Sequence, residues 1–485
     1  MIIEKDAFAI ANAVKNGEIK AEDVARKFLN YVKSADKKVE AFNSLDEERI
    51  IKAAIEVDKK RDRGEELGEL AGVPFIIKDN IMSEGEPVTC SSKMMLGYKA
   101  IYDATVVKKI RSADGIPFGK ANMDEFAMGS STENSAFRMT KNPWDFSRVP
   151  GGSSGGSAAS VAALMSPLSL GSDTGGSIRQ PSAFCGVVGL KPTYGRVSRY
   201  GLVSFGSSLD QIGPIGRNAR DTALAMNVIS GYDQKDSTSA KTGVSDFTLS
   251  LDNDIKGLRV GLLEDHMLDG TDSSIVSALN KTKEILKDMG AVFKKVCLNN
   301  ISLSSLEAYY VISPAEVSSN LSRFDGLKYG AKVGSPKSVE DIYLNSREHM
   351  GDEVKRRVMI GNYVLSAGHY DSHYKKAYQV RRIIFDEFKA AFEDVDVVLL
   401  PTSPTTAFKI GENTGDPVKM YLSDLYTTPA NLAGIPALSF PVDFHDNLPV
   451  GMQLIGRSFD EALLLNIVSQ FEKRVSLPKF RRMDV

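Results

Sequence analysis

Two short segments rich in glycine and serine constrain this chain more than any other feature of its sequence. Residues 150–159 run directly into an alanine-rich helical pattern, and residues 171–181 also lead into a plausible helix start. Glycine lets a backbone adopt positive φ angles and approach a ligand closely. A helix start leaves free N–H groups that can hold an anion or an oxyanion. Because apolar runs flank both segments, we expect them to be buried rather than to form flexible surface loops.

Phosphate binding is the first alternative for these segments. A P-loop has four residues between its glycines and then a lysine followed by serine or threonine, and neither segment contains a lysine. The nearest look-alike, residues 115–121, has only three residues between its glycines and ends in alanine. Neither segment contains the GxGxxG pattern of dinucleotide-binding proteins. The spacing therefore disfavours a nucleotide site.

A serine nucleophile fits the two segments better, but it needs a base. The histidines stand far along the chain, at His266, His349, His369, His373 and His445. Lys78 ends the apolar run 73–77, so a strand would carry it into the core. Since desolvation lowers a lysine pKa from about 10.4, a buried Lys78 is a candidate base.

Composition excludes several other classes of protein. The 60 Lys and Arg residues balance 62 Asp and Glu residues, whereas a protein that binds nucleic acid by itself usually shows a basic excess. Cys90, Cys185 and Cys297 are widely spaced and form no CxxC pair, which disfavours a disulfide framework or a zinc site. No run reaches the roughly 18 apolar residues of a membrane span, and the N-terminus lacks a signal-peptide pattern. We expect a cytoplasmic protein with no membrane contact.

Periodicity along the chain predicts an α/β fold, because strands alternate with helices. Helical spacing covers residues 21–32, 47–57, 273–289, much of 303–392, and 461–471. Short apolar runs predict strands at 73–77, 258–263, 291–297, 395–401, 437–442 and 450–455. A polar stretch at 233–254 predicts a surface loop. Without a convincing linker, we predict one domain over 1–485, with a helical layer at 1–60, a catalytic core at 70–220 and the remaining elements at 255–485.

Three motifs in this order resemble the amidase signature family, namely residues 72–79, 151–156 and 171–181. The resemblance implies a large mixed β-sheet covered by helices on both faces. It also implies a Ser–Ser–Lys triad, in which Ser177 is the nucleophile, Ser153 the relay and Lys78 the base. The relay serine of the family follows a cis peptide bond, which corresponds here to Gly152–Ser153.

The same resemblance implies an oxyanion hole and a reaction without a metal or cofactor in this chain. The backbone N–H groups of Thr174, Gly175, Gly176 and Ser177 would receive the negative charge that develops on the substrate oxygen. A single such donor is typically worth about 3–4 kcal/mol.

Further segments resemble the glutaminase components of bacterial tRNA-dependent amidotransferases: residues 207–214, 308–316, 319–326, 353–357, 370–371 and 449–456. This resemblance implies glutamine as the substrate, with Arg357 on its α-carboxylate and Asp424 on its α-ammonium group. It also implies a heterotrimer with B and C subunits. Ammonia would pass to the B subunit, where ATP and Mg are expected and where misacylated Glu-tRNA(Gln) is amidated. The sequence leaves open whether Asp-tRNA(Asn) is a second substrate.

Two other interpretations stay open at this point. The chain could be a stand-alone amidase that acts on another amide, or a scaffold that keeps the fold without catalysis. The intact set of Lys78, Ser153 and Ser177 argues against the scaffold.

Overall fold

The strands of the protein form one eleven-stranded sheet. The structure is a computed structural model, and it describes residues 2–301, 303–478, 480 and 483. In chain order the strands are β1 (Phe42–Ser44), β2 (Pro74–Lys78), β3 (Ile116–Ala121), β4 (Leu168–Asp173), β5 (Val188–Lys191), β6 (Gln211–Gly216), β7 (Arg259–Leu262), β8 (Val292–Lys295), β9 (Val397–Pro401), β10 (Ala437–His445) and β11 (Leu448–Gly456). Across the sheet their order is β1-β3-β2-β4-β6-β5-β10-β11-β9-β7-β8.

Helices precede, separate and follow these strands. They are α1 (Ala7–Lys15), α2 (Ala21–Val39), α3 (Glu47–Asp62), α4 (Thr105–Ser112), α5 (Gly155–Ala162), α6 (Arg179–Cys185), α7 (Ala219–Ile229), α8 (Ser273–Asp288), α9 (Leu303–Leu321), α10 (Val339–Arg347), α11 (Asp352–Leu365), α12 (Lys375–Asp394), α13 (Pro417–Leu422), α14 (Thr428–Leu432) and α15 (Glu461–Glu472). A π-helical turn at Tyr370–Tyr374 leads into α12. None of the helices in the described part of the chain is both long and apolar enough to cross a membrane.

The sheet is mixed, with two parallel groups separated by antiparallel strands. Strand β2 lies between β3 and β4 and is parallel to both. Strand β7 lies between β8 and β9 and is likewise parallel to both. Every residue of β2, β4 and β9 is buried, as expected of strands that are covered on both faces.

Alternate residues of the central strands point into two different cores. On β9, Val397 and Leu399 pack into the core that contains α8, whereas Val398 and Leu400 pack into the core that contains α12. Because successive side chains of a strand point to opposite faces, α8 and α12 lie on opposite sides of the sheet. The prediction of a large mixed sheet with helices on both faces is confirmed.

Most predicted elements occur, with shifts at their ends. Helix α2 continues beyond the predicted 21–32 and ends where Glu40 adopts a left-handed conformation. Strand β8 is shorter than the predicted 291–297; it is an edge strand, with little buried surface to extend it. Residues 233–254 contain turns and bends but no helix or strand, so the predicted loop is confirmed. The assignment of the chain to one domain stays a prediction.

A close contact between α9 and α11 positions one side of the site described below. A Cβ atom on Gly361 of α11 would lie 2.0 Å from the carbonyl oxygen of Pro314 on α9, so only glycine allows the two helices to approach this closely. Arg357 lies one turn before Gly361, and Tyr310 lies one turn before Pro314. The approach of the helices therefore brings Arg357 and Tyr310 together.

Candidate active site

Lys78 is the last residue of β2, and its side chain is fully buried. Its Nζ lies 2.7 Å from Ser153 Oγ and 2.8 Å from Ser154 Oγ. It also lies 3.0 Å from Ser172 Oγ and 3.3 Å from the Ser172 carbonyl oxygen. The parallel pairing of β2 with β4 brings Lys78 beside Ser172. All four oxygen neighbours of this amine are uncharged.

Burial lowers the pKa of Lys78 from 10.5 to about 7. Removal from water disfavours the ammonium form. The nearby carboxylates of Asp124, Asp173 and Asp210 favour the ammonium form, but they do not outweigh the loss of solvent. Near neutral pH a substantial fraction of Lys78 is therefore an uncharged amine with a lone pair that can accept a proton.

The hydrogen bonds around Lys78 distinguish its serine neighbours. The Ser154 hydroxyl donates to the Ser172 carbonyl at 3.1 Å, so its oxygen faces Lys78 as an acceptor. The Ser172 hydroxyl oxygen accepts from Asn80 Nδ2 at 3.0 Å. Within the described residues, the Ser153 hydroxyl has no acceptor other than the Lys78 nitrogen. The same holds for the Ser172 hydroxyl, which lies farther from Lys78 Nζ, at 3.0 Å against 2.7 Å for Ser153. Ser153 is therefore the nearest hydroxyl that can give its proton to a neutral Lys78.

Ser177 lies beside this pair and is the member of the predicted triad that solvent can reach. The backbone N–H of Ser154 donates to the Ser177 carbonyl at 3.1 Å, which holds the two glycine-rich segments together. Ser177 is 8% exposed, whereas Lys78 and Ser153 are 0% exposed. The Gly152–Ser153 bond is cis, as the family resemblance implies. A substrate that enters from solvent would therefore meet Ser177 first.

A buried ion pair holds the loop that carries Ser177. The Asp173 carboxylate accepts hydrogen bonds from Gly176 N at 2.8 Å and Ile178 N at 3.2 Å. It also accepts from Arg179 Nε at 3.1 Å and Asn431 Nδ2 at 2.8 Å. Burial alone would raise the pKa of Asp173, but the charge and hydrogen bonds of Arg179, together with Lys191 and Asn431, lower it to about 2. Asp173 is therefore ionised at neutral pH and fixes the loop from within.

The four predicted oxyanion donors are not equivalent in this structure. The Gly176 N–H is occupied by Asp173. The backbone N–H groups of Thr174, Gly175 and Ser177 have no acceptor anywhere in residues 2–301, 303–478, 480 and 483. The Thr174 hydroxyl donates to the buried Asp210 at 2.6 Å. These contacts leave three N–H groups of this loop open to a ligand oxygen.

Three aromatic side chains pack around the guanidinium group of Arg357. Its guanidinium carbon is 4.9 Å from the ring centroid of Tyr310, 5.2 Å from that of Tyr421 and 5.7 Å from that of Phe205. Its Nε donates to Glu353 at 2.7 Å, and its Nη atoms have no acceptor among the described residues. Burial alone would lower the pKa of Arg357, but Tyr310 and Glu353 hold it well above its usual value. The open Nη edge can bind an anion.

Asp424 lies on the other side of Tyr310. Its Oδ2 accepts hydrogen bonds from the Tyr310 hydroxyl at 3.0 Å and from Ser130 Oγ at 2.8 Å. Its Oδ1 has no donor within the part of the chain that the structure describes. Burial raises the pKa of Asp424 to about 7. An ammonium group beside Oδ1 would favour the carboxylate and lower this pKa.

Two short networks tie Asp424 to the predicted catalytic segments. Thr427 Oγ1 donates its one proton to the Gly175 carbonyl at 2.6 Å and lies 3.1 Å from the Asp424 carbonyl oxygen. On the other side, Gln180 Nε2 donates to the Ser130 carbonyl at 2.9 Å, and Gln180 Oε1 accepts from Gly152 N at 3.0 Å. The structure thus brings all the predicted site residues into one region.

Other candidate nucleophiles and bases lie elsewhere. Cys90 and Cys185 are buried, and burial raises the pKa of both thiols, which disfavours their thiolate forms. Cys297 is exposed, and its thiol contacts Asn299. No histidine among the described residues forms a hydrogen bond with Ser177. No group of three or more His, Cys, Asp or Glu residues in the described part of the chain could hold a metal ion.

The sequence analysis did not identify several residues whose side chains shape the site. They are Ser154, Ser172, Asp173, Arg179, Glu353 and Tyr310. The first four lie within the glycine-rich segments, so their position next to the predicted catalytic residues could have identified them. Tyr310 and Glu353 lie in segments that were singled out only by resemblance. Their contact with Arg357 depends on the packing of α9 against α11, which no local pattern reveals.

Comparison with known proteins places the chain among amidases. The sequence model of the amidase family matches residues 23–465. The chain is 51% identical over 476 residues to the A subunit of glutamyl-tRNA(Gln) amidotransferase from Clostridium botulinum strain Okra, with 98% of each chain covered. It is 52% identical over 473 residues to the protein of that name from Carboxydothermus hydrogenoformans, with 97% of each covered. The crystal structure of the corresponding Thermotoga maritima protein superposes with a TM-score of 0.80 at 42% identity, covering 96% of this chain and 94% of that one.

Replacement of Lys78 by arginine tests whether this residue acts as a base. We expect Lys78→Arg and Lys78→Ala each to lower kcat for amide hydrolysis by about 10²–10⁴-fold, because a guanidinium with a pKa above about 12 cannot release its proton. Wild-type kcat should fall as the pH is lowered through about 7, where Lys78 takes up a proton. Lys93 is exposed, so Lys93→Arg is the matched control. Thermal unfolding checks that each variant folds. A folded Lys78→Arg variant with near-wild-type kcat would leave Lys78 with an electrostatic role only.

Proposed function

This chain belongs to the amidase family, and on that premise we propose that it is the glutamine-hydrolysing component of a glutamyl-tRNA(Gln) amidotransferase, its A subunit. Its relatives in Clostridium botulinum and Carboxydothermus hydrogenoformans carry that name over nearly their whole length. The observation that carries the proposal is the pair of Arg357 and Asp424, which flank Tyr310 beside the loop of Ser177.

A zwitterionic amino acid needs one fixed charge of each sign. The open Nη edge of Arg357 suits the α-carboxylate of glutamine, since an arginine fork pairs with a carboxylate through two parallel hydrogen bonds. The open Oδ1 of Asp424 suits the α-ammonium group. Tyr310 holds the two groups in a fixed relation, because its ring lies against Arg357 and its hydroxyl bonds to Asp424. The glutamine side chain then extends toward Ser177, to which Asp424 is linked through Thr427 and Gly175.

The reaction begins with proton transfer along the triad. Neutral Lys78 takes the proton of the Ser153 hydroxyl, and Ser153 takes the proton of the Ser177 hydroxyl. Ser177 Oγ forms a bond to the amide carbon of the glutamine side chain. The carbonyl oxygen becomes an oxyanion, which the free backbone N–H groups of the Ser177 loop stabilise.

Collapse of this intermediate releases ammonia. Lys78 returns its proton through Ser153 to the amide nitrogen, the C–N bond breaks, and a γ-glutamyl ester stays on Ser177. A water molecule then attacks the ester, again with proton transfer to the relay, and glutamate leaves. Because side chains and backbone groups of this chain carry every step, the proposal includes no metal or cofactor in this half-reaction.

The partners follow from the name of the relatives, since that name describes one component of a larger enzyme. We propose B and C subunits in a heterotrimer, with ATP and Mg bound to the B subunit, which would also hold the aminoacyl-tRNA. The near balance of 60 basic and 62 acidic residues supports a partner that holds most of the tRNA.

Replacement of Ser177 by alanine separates the two half-reactions. In the assembled complex, Ser177→Ala should abolish glutamine-dependent amidation of Glu-tRNA(Gln), because the nucleophile is lost. Amidation with added ammonium chloride should continue at the wild-type rate, because that step does not need the serine. Loss of both activities in a complex that still assembles would contradict the separation of the two sites.

Replacement of Arg357 by lysine tests the binding of the substrate carboxylate. We expect Arg357→Lys to raise KM for glutamine by about 10–100-fold, which corresponds to the roughly 1.5–3 kcal/mol of a charged hydrogen bond. Hydrolysis of a simple amide without an α-carboxylate should be unchanged, and Arg382→Lys, on the exposed side of α12, should change neither. An equal loss with both substrates would mean that Arg357 supports the fold, and an unchanged KM would remove it from the glutamine site.

A further inference from the structure

Asp124 is a buried carboxylate that none of the reaction steps above uses. It lies three residues beyond the end of β3 and is 0% exposed. Its Oδ2 accepts a hydrogen bond from Thr132 N at 2.9 Å, and its Oδ1 accepts one from Asn134 N at 3.2 Å. Its own backbone N–H donates to the Ser153 carbonyl at 3.3 Å. Asp124 therefore contacts both the relay serine and the segment 132–134.

The carboxylate of Asp124 also packs against the backbone just before the relay serine. A Cβ atom on Gly152 would lie 2.1 Å from Asp124 Oδ2, so there is no space between the two groups. Thr132 is buried and adopts a φ of +67°, which is unfavourable for a β-branched residue. The hydrogen bond from Thr132 N to Asp124 stabilises this conformation.

Thr132 in turn holds the backbone on both sides of Ser153. Its hydroxyl donates to the Gly151 carbonyl at 2.7 Å and accepts from the Gly155 N–H at 3.2 Å. Gly151 lies two residues before Ser153, and Gly155 lies two residues after it. Asp124 therefore fixes the segment of the relay serine, both directly and through Thr132.

No cation neutralises Asp124, in contrast to the carboxylate that fixes the Ser177 loop. Asp173 forms an ion pair with Arg179 at 3.1 Å, whereas Asp124 forms no ion pair with any residue that the structure describes. The charged groups that act most strongly on Asp124 are Lys78 and Glu133. The titratable groups that act most strongly on Lys78 are Asp124, Asp173, Asp210 and Cys90, and Asp124 has the largest effect of these four.

The charge of Asp124 is present in the pH range in which Lys78 works. Burial raises the pKa of Asp124 to about 6, although the N–H groups of Thr132 and Asn134 and the charge of Lys78 favour the carboxylate. At and above neutral pH the carboxylate therefore prevails. A negative charge favours the ammonium form of a nearby lysine, so it opposes the effect of burial on Lys78. A general base is most effective when its pKa lies near the working pH.

We propose that Asp124 is a positioning residue of the amidase reaction, which fixes the Ser153 segment through Thr132 and maintains the basicity of Lys78 through its unpaired charge. This inference rests on the Ser–Ser–Lys reaction proposed above, but not on glutamine as the substrate. Its tests therefore use a simple amide, or no substrate at all.

Replacement of Asp124 by asparagine tests the effect of the charge. The ¹³Cε midpoint of Lys78 should fall from about 7 by about one pH unit, because a nearby opposite charge shifts a pKa by about 1–3 units. The acid limb of kcat for a simple amide should move down with it. The matched control is Asp36→Asn. Asp36 also accepts a backbone hydrogen bond and has a pKa raised to about 6, but it does not act on Lys78.

A wild-type midpoint near 7 that does not move in a folded Asp124→Asn variant would overturn the proposal and leave the proton relay intact. The titration of Asp124 itself gives a test that does not depend on the folding of that variant. In Lys78→Met, the midpoint of the Asp124 carboxyl should rise above about 6, because the coupling between two sites is reciprocal. An unchanged Asp124 midpoint would also overturn the proposal.

Replacement of Thr132 by valine tests the positioning separately, because it removes the hydroxyl and keeps the charge of Asp124. We expect kcat for a simple amide to fall about tenfold, as for the loss of a buried hydrogen bond, with the Lys78 midpoint unchanged. Thermal unfolding checks that the variant folds. A wild-type kcat in Thr132→Val would mean that Asp124 does not act through Thr132, and the proposal would be wrong.

Discussion

The site depends on a buried lysine, Lys78, that has no carboxylate in direct contact with its amine. The neighbours of Lys78 Nζ are hydroxyl and carbonyl oxygens of Ser153, Ser154 and Ser172, at 2.7–3.3 Å. A carboxylate in direct contact would have kept the ammonium form stable far above neutral pH. The nearest acidic groups act on Lys78 only at longer range, and burial prevails over them. Because these partners are neutral, Lys78 can lose its proton near neutral pH and accept another.

A comparison within the same protein shows how specific this arrangement is. Lys191 is also fully buried, and burial lowers its pKa to about 7 as well. Its Nζ donates to the backbone carbonyls of Ile435 at 2.6 Å and Pro192 at 3.1 Å, and a carbonyl has no proton to give. Burial alone therefore does not make a catalytic lysine. Lys78 differs because its Nζ lies 2.7 Å from the hydroxyl of Ser153, which has a proton to give.

The sequence was sufficient for the parts of the site that depend on local pattern. The apolar run before Lys78 predicted a strand that buries it, and the glycine-rich segments predicted the loops of Ser153 and Ser177. It was insufficient where contacts join distant parts of the chain. Asn431 reaches Asp173 across 258 positions, and Ser130 reaches Asp424 across 294. Such contacts depend on how helices and loops pack over the sheet, which periodicity does not encode. The same reason explains why the fold class was predictable while the ends of α2 and β8 were not.

Direct titration of Lys78 is the measurement that tests the central claim most closely. The ¹³Cε resonance of labelled lysine moves when the amine loses its proton, and Lys78→Met and Lys191→Met variants assign the two buried residues. The account predicts a midpoint near 7 for Lys78, far below the value of about 10.4 for a solvated lysine. A midpoint above about 10 would mean that Lys78 is an ammonium ion throughout the working range of pH, and the proton relay described here would then be wrong.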